Sequence, residues 1–77
     1  MPRRSRADET AKAFGAAVRE ARQARKETLE DVARRLHRMD AKYLGEIERG
    51  WHSPSISTAK RIADALEVSL ALLVHDL

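Results

Sequence analysis

Apolar residues recur along this chain at three- and four-residue steps, the spacing of a helix face, and nowhere alternate in the manner of a strand. Phe14, Val18, Ala21 and Ala24 share one face, while Arg19, Glu20, Arg22 and Gln23 fill much of the rest, which predicts a helix from about Thr10 to Lys26. In "TLEDVARRL" the apolar stripe is Leu29, Val32, Ala33 and Leu36. Thr28 suits the N-cap, and Asp31, three residues later, loosely repeats the capping-box pattern. Glu30 and Asp31 in the first turn and Arg34 and Arg35 in the last match the helix macrodipole. "HRM" is then a turn, because Asp40 caps a third helix over about Ala41–Arg49, with Leu44 and Ile47 on its buried side. Gly50 ends that helix and Pro54 keeps the chain from resuming at once. Ser55 or Ser57 caps a fourth helix, in which Ile56, Ala59, Ile62, Ala63 and Leu66 repeat at helical spacing, and Ser69 caps a fifth, "LALLVHDL". The expected fold is all-α, with five short helices held by packing against one another, since helices of such length are marginal alone.

Composition narrows the class. Seventy-seven residues make one small domain, and although 43% are apolar, many of these are alanines, so the core is modest and a second subunit is expected to help stabilise it. There is no cysteine, which excludes a disulfide framework and thiolate metal sites and fits a reducing cytoplasm. No apolar run approaches the roughly 18 residues of a membrane span, and the N-terminus lacks the apolar core of a signal peptide. A soluble, cytoplasmic protein is expected.

The net charge of +3 is unevenly placed. Residues 1–27 carry eight Lys/Arg against four Asp/Glu, residues 28–50 balance at five against five, and residues 51–77 have two against three. The opening "MPRRSRADET", with Pro2 and three arginines, reads as a mobile basic arm over residues 1–10, ahead of a domain over residues 11–77. A basic front end on a small domain points to a polyanionic partner, or to no more than a solubilising surface.

Catalytic chemistry finds no foothold. His37, His52 and His75 fall in three segments without metal-ligand spacing. No glycine-rich phosphate loop is present. The chain leaves no room for a ligand-sensing domain, so neither a cofactor nor a small-molecule ligand is expected, and the protein is expected not to be an enzyme.

Helices two and three are joined by about three residues, the spacing of a helix-turn-helix pair over residues 28–49. In such a pair the second helix lies in the major groove while the first crosses the backbone. The segments "FGAAVREAR", "TLEDVARRL", "KYLGEIERG" and "PSISTAKRIADALEVSLALLV" follow in order, with "IERG" leading to "PS" and then "IADALEVS". Over about Phe14–Val74 the chain resembles the Cro and phage-repressor (XRE-like) helix-turn-helix domains. The resemblance implies a lambda-repressor-like fold and double-stranded DNA as partner. It also implies that Asp40 caps the recognition helix, with Ala41, Lys42, Gly45 and Glu46 turned to base edges. The chemistry suits those roles: Lys42 can donate to guanine N7 and O6, Glu46 can accept from cytosine N4, and Ala41 can meet a thymine methyl. Gly45 permits close approach. The plainer alternative for Lys42 and Glu46 is a solvated ion pair four residues apart.

Phosphate contacts are expected from the backbone amides at Thr28 and Leu29. Tyr43 and Arg49 are the side-chain candidates, continued by Trp51, His52 and Ser53. Tyr and Trp each join a flat apolar body to a hydrogen-bond donor, which suits a sugar-phosphate surface; Trp51 covering the core edge or touching another subunit stays open. The resemblance also implies an Arg22–Glu48 ion pair, partly buried, tying helix one to the recognition helix.

Three departures from the family stand out. The turn at His37-Arg38 is longer by one residue and lacks glycine, which puts the tilt of the recognition helix in question and leaves Arg38 able to reach a phosphate. Leu29 replaces a glutamine that binds phosphate. Glu27 stands where an apolar residue is usual, and Leu29 is the candidate to take over that burial.

The fifth helix, placed at residues 69–77, is apolar almost all round through Leu70, Ala71, Leu72, Leu73, Val74 and Leu77. One face can pack on the domain; a symmetric homodimer interface is expected from Leu70, Ala71, Leu72, Leu73 and Leu77, chiefly Leu72 with Ala71. The expected function is a homodimeric, sequence-specific transcriptional regulator on a pseudo-palindromic operator, of phage or plasmid repressor or restriction-modification controller type. An antitoxin, or a protein-interaction module on the same scaffold, is the alternative.

Overall fold

Four side chains set where helices begin, and each does so by accepting a hydrogen bond from a backbone amide that the helix leaves unpaired. Asp31 N donates to Thr28 Oγ1 at 3.0 Å, Tyr43 N to Asp40 Oδ1 at 2.8 Å, Thr58 N to Ser55 Oγ at 3.1 Å and Leu72 N to Ser69 Oγ at 3.2 Å. At Thr28 the capping box is complete, because Thr28 N donates in return to Asp31 Oδ2 at 2.9 Å. The computed structural model describes residues 6–75 and 77, and among them the elements are α1 (Arg6–Ala24), α2 (Leu29–Arg34), α3 (Ala41–Glu48), α4 (Ile56–Ala65) and α5 (Leu70–Leu73).

Three helices end by one device. After α1, α3 and α4 the chain turns through a left-handed residue, Lys26 at φ 56°, Gly50 at φ 80° and Glu67 at φ 58°. The amide that follows each reaches back to a helix carbonyl, as Trp51 N does to Glu46 O at 3.0 Å and Val68 N to Ala63 O at 3.0 Å. Gly50 takes this conformation without strain; Lys26 and Glu67 do so as β-carbon residues.

α3 packs against both α1 and α2, and α5 against α1 and α4. The core they enclose is apolar: Phe14, Val18, Val32, Leu44, Ile47, Ile62, Leu66 and Leu73 are buried, with no buried polar or charged residue among the described ones. No helix among the described residues is long and apolar enough to cross a membrane.

Several boundaries differ from the expectations. α1 starts at Arg6, so the second half of the expected arm is helical, while residues 1–5 lie outside the described residues. Ser55, not Ser57, caps α4. α5 closes after one turn at Leu73 instead of running to Leu77. Its apolar surface divides accordingly. Leu73, expected at a subunit interface, is 1% exposed in its own core, and Leu70 is half-buried against that core. Leu72 at 58%, Leu77 at 53% and Ala71 remain exposed.

Candidate nucleic-acid interface

The α2–α3 connection solves its length problem through one strained residue. Arg38 adopts φ 63°, supplying without glycine the left-handed step that the longer turn requires. The Arg61 guanidinium of α4 donates to the His37 carbonyl and ties the turn to the domain. Leu36 is buried and Met39 packs partly on the core, so both ends of the turn are anchored.

Beyond Asp40, the exposed side of α3 carries Lys42, Tyr43 and Arg49. Ala41 and Glu46 are half-buried at its border. Gly45 is buried: a β-carbon there would lie 3.3 Å from Leu29 Cδ1 and 3.6 Å from Arg49 Nη1. Among the four expected base contacts, then, Lys42 is freely presented, Ala41 and Glu46 are partly so, and Gly45 serves the close fit of α3 against α2. Leu29 is half-buried and packs on the core, in line with the burial role suggested for it. A groove beside α3 is lined by Arg19, Arg22, Leu29, Gly45, Glu48 and Arg49, so Arg19 of α1 and Arg49 at the end of α3 both border it. Arg19 escaped the sequence reading, because its place beside α3 depends on the packing of α1.

The segment after α3 folds back along it. The Tyr43 and His52 rings stack with centroids 4.8 Å apart and planes 24° from parallel. His52 Nε2 lies 2.7 Å from Glu46 Oε1. The Arg49 guanidinium sits over the Trp51 ring, 5.2 Å from its centroid, a contact worth about 0.5–1 kcal/mol at an exposed site. Trp51 is 65% exposed, so it does not cover the edge of the core. Ser53 and Arg38 are exposed as well. At the start of α2 the amide of Thr28 is already spent on Asp31, so Thr28 retains only its hydroxyl hydrogen to offer a phosphate, beside the Leu29 amide.

α1 grips the far end of α3. Arg22 Nε donates to Glu48 Oε2 at 2.7 Å and Nη2 to Oε1 at 3.0 Å, with the two side chains 13% and 5% exposed. Arg22 Nη1 donates to the Glu27 carbonyl at 2.8 Å, so three of its donors are placed. The hydrogen bond to Glu48 is the main cause that raises the Arg22 pKa above its usual value.

Glu27 is not buried in place of an apolar side chain; it is the hub of an ionic cluster. Arg35 donates to it through Nη1 at 2.8 Å and Nη2 at 2.6 Å, and Arg25 through Nε at 2.7 Å. These bonds, Arg35's first, bring the Glu27 carboxyl down to about 2. The cluster joins the ends of α1 and α2, and no spacing rule along the chain announces it. Among the described residues no group of His, Asp and Glu is arranged to hold a metal ion.

A short capped helix, exposed along one side and held from behind by two others, defines a small DNA-binding helix-turn-helix domain. The chain belongs to the HTH_3 family, described as helix-turn-helix, whose model matches residues 18–73. No curated protein and no solved structure gives a significant match to it. Membership makes the chain a sequence-specific, non-catalytic DNA-binding module.

Proposed function

We propose that the protein is a transcriptional regulator of repressor type that occupies a pseudo-palindromic operator as a homodimer. The observation that carries this reading is that Lys42 and Tyr43 are exposed on α3 and that Arg49 and Trp51, in contact just past its end, are exposed as well. Lys42 donates to a guanine edge and Glu46 accepts from cytosine N4, with Ala41 against a thymine methyl. Arg49, Tyr43, Trp51, Ser53, Arg38 and the start of α2 at Thr28 and Leu29 hold the phosphates, which position the helix without specifying sequence. Arg19 joins them from the adjoining groove.

The second copy docks on the apolar residues that the fold leaves outside, Leu72 with Ala71 and Leu77. Two-fold symmetry then sets two recognition helices about 34 Å apart, one turn of duplex. Selection of bound fragments from a random DNA library tests the proposal. Two inverted half-sites with centres one turn apart are expected, with affinity falling steeply in salt at a slope near −0.9 per phosphate contacted. Recovery of no motif, with binding indifferent to salt, refutes it and leaves a protein-interaction module.

A further inference from the structure

Glu46 is the base-facing side chain of α3 that makes a bond inside the domain. Its Oε1 lies 2.7 Å from His52 Nε2, and the His52 ring is stacked on Tyr43 at 4.8 Å. A carboxylate can only accept, so Nε2 carries the hydrogen and Nδ1 is left free or, in the charged ring, also protonated. The two side chains are 19% and 39% exposed, so neither is loose in solvent. Tyr43 stands one residue beyond Lys42 on α3, and His52 reaches back from the segment that Gly50 reverses. Three side chains thus form a closed set: Tyr43 supports the ring, the ring holds the carboxylate, and Glu46 Oε2 makes no bond among the described residues.

From this we infer that His52 is a positioning residue for base recognition, acting through Glu46 and not through a phosphate. The inference rests on the DNA-reading role proposed for Glu46 and extends it to a second residue. An unsupported glutamate samples several rotamers and must be ordered on binding, which costs entropy. A carboxylate brought near DNA is also repelled by the phosphates. The imidazole relieves both: it orders one oxygen before DNA arrives, and its N–H dipole, or its charge, offsets the carboxylate. Oε2 is then presented to the cytosine amino group in one orientation, as preorganised recognition requires. The expected place of His52 is the phosphate rim after Trp51; in the fold its Nε2 meets Glu46 Oε1.

The test measures competition between operator variants, each changed at one base pair, on wild type and on Glu46→Ala, His52→Ala and His52→Gln. A well-formed base contact discriminates by about 5- to 150-fold. Glu46→Ala should abolish the preference at one base pair of each half-site. His52→Ala should lose a large part of the preference at that same base pair and leave the other positions unchanged, with its far-UV circular dichroism intact. His52→Gln, whose amide nitrogen can donate to the same oxygen, should recover most of the preference. The inference is overturned if His52→Ala keeps the preference and lowers affinity equally on all sequences with a shallower salt slope, the behaviour of a phosphate contact. It is equally overturned if Glu46→Ala alters no base preference. A wild-type protein that prefers no operator refutes the regulatory reading itself, which separates that failure from this one.

Discussion

Replacing Gly15 by alanine should destabilise the domain, although helix propensity alone predicts the opposite. Gly15 lies in the middle of α1 and is buried. A β-carbon there would stand 2.2 Å from the carbonyl oxygen of Ile47, 2.6 Å from that of Glu48 and 2.8 Å from the Glu48 carbonyl carbon. Close C–H···O contacts in proteins fall at about 3.3–3.6 Å, so α1 and the end of α3 would have to part by about 1 Å. The obstructing atoms are backbone, and the Ile47 oxygen is already held by Gly50 N at 3.0 Å. They cannot swing aside as a side chain would. Overpacking of this kind costs about 1–3 kcal/mol, and three atoms in conflict place this site at the upper end. Alanine returns about 1 kcal/mol of helix propensity. The net is about 2 kcal/mol of destabilisation, or about 8–16 °C in Tm for a domain of this size. Urea denaturation followed by far-UV circular dichroism measures it. Ala16→Gly, at the exposed neighbouring position, is the control and should cost about 0.5–1 kcal/mol through propensity alone. If Gly15→Ala proves as stable as wild type, or more stable, the close seat of α1 on α3 is wrong.

Four further outcomes follow from the same geometry. Glu48→Gln removes the charge that pairs with Arg22, and because both side chains are nearly buried it should cost about 3 kcal/mol, the low end for a buried pair since the amide oxygen still accepts, in denaturant unfolding; a loss under about 0.5 kcal/mol would show the pair to be solvent-screened. Glu27 has a depressed folded pKa of about 2, against about 4.3 when unfolded. Its contribution is therefore complete above about pH 5 and lost as pH falls toward 2, so Glu27→Gln should flatten the acid side of the stability profile, and an unchanged profile would refute the cluster's role. Leu72→Glu should sediment as a monomer in analytical ultracentrifugation, and a persistent dimer would move the interface elsewhere. Lys42→Ala should change which bases are preferred, whereas Arg49→Ala should weaken binding to all sequences; equal losses from both would remove Lys42 from base reading.

What could be read in the chain and what could not divides by the distance over which each residue acts. Thr28, Asp40, Ser55 and Ser69 bond to amides three residues away, so helix starts were open to local reading, with only the choice between Ser55 and Ser57 left undecided. The apolar stripes of α2 and α4 were legible for the same reason, since helical period maps sequence directly onto a face. Leu73 shows where period fails: in a segment apolar almost all round it cannot say which leucine points inward, and a one-turn helix leaves no polar face to decide. Glu27 looked anomalous as a substitute for an apolar residue, because its partners Arg25 and Arg35 come from two different elements. Gly15 carries a weak local signal, since a glycine inside a helical pattern costs helix propensity and invites a packing explanation. The Glu46–His52 bond had none, since it depends on how the chain reverses after Gly50.

The longer turn bears less on the recognition helix than its place in the sequence suggests. If the turn alone set the tilt of α3, one added residue would displace the far end of an eight-residue helix by several ångströms. α3 is instead secured at that far end, and by α1. Gly15 lies beneath the carbonyls of Ile47 and Glu48, and Arg22 takes both oxygens of Glu48. At Gly50 a β-carbon would come within 2.5 Å of Lys12 Cγ, so a third position of α1 closes on the helix end. The near end is fixed by Asp40 and the buried Leu44. With both ends held independently, the extra residue has nowhere to act except in the turn, where Arg38 absorbs it as a left-handed conformation. Such a conformation costs about 1–2 kcal/mol at a non-glycine residue. That cost is borne by stability, while the orientation of α3 itself is set by its seat on α1.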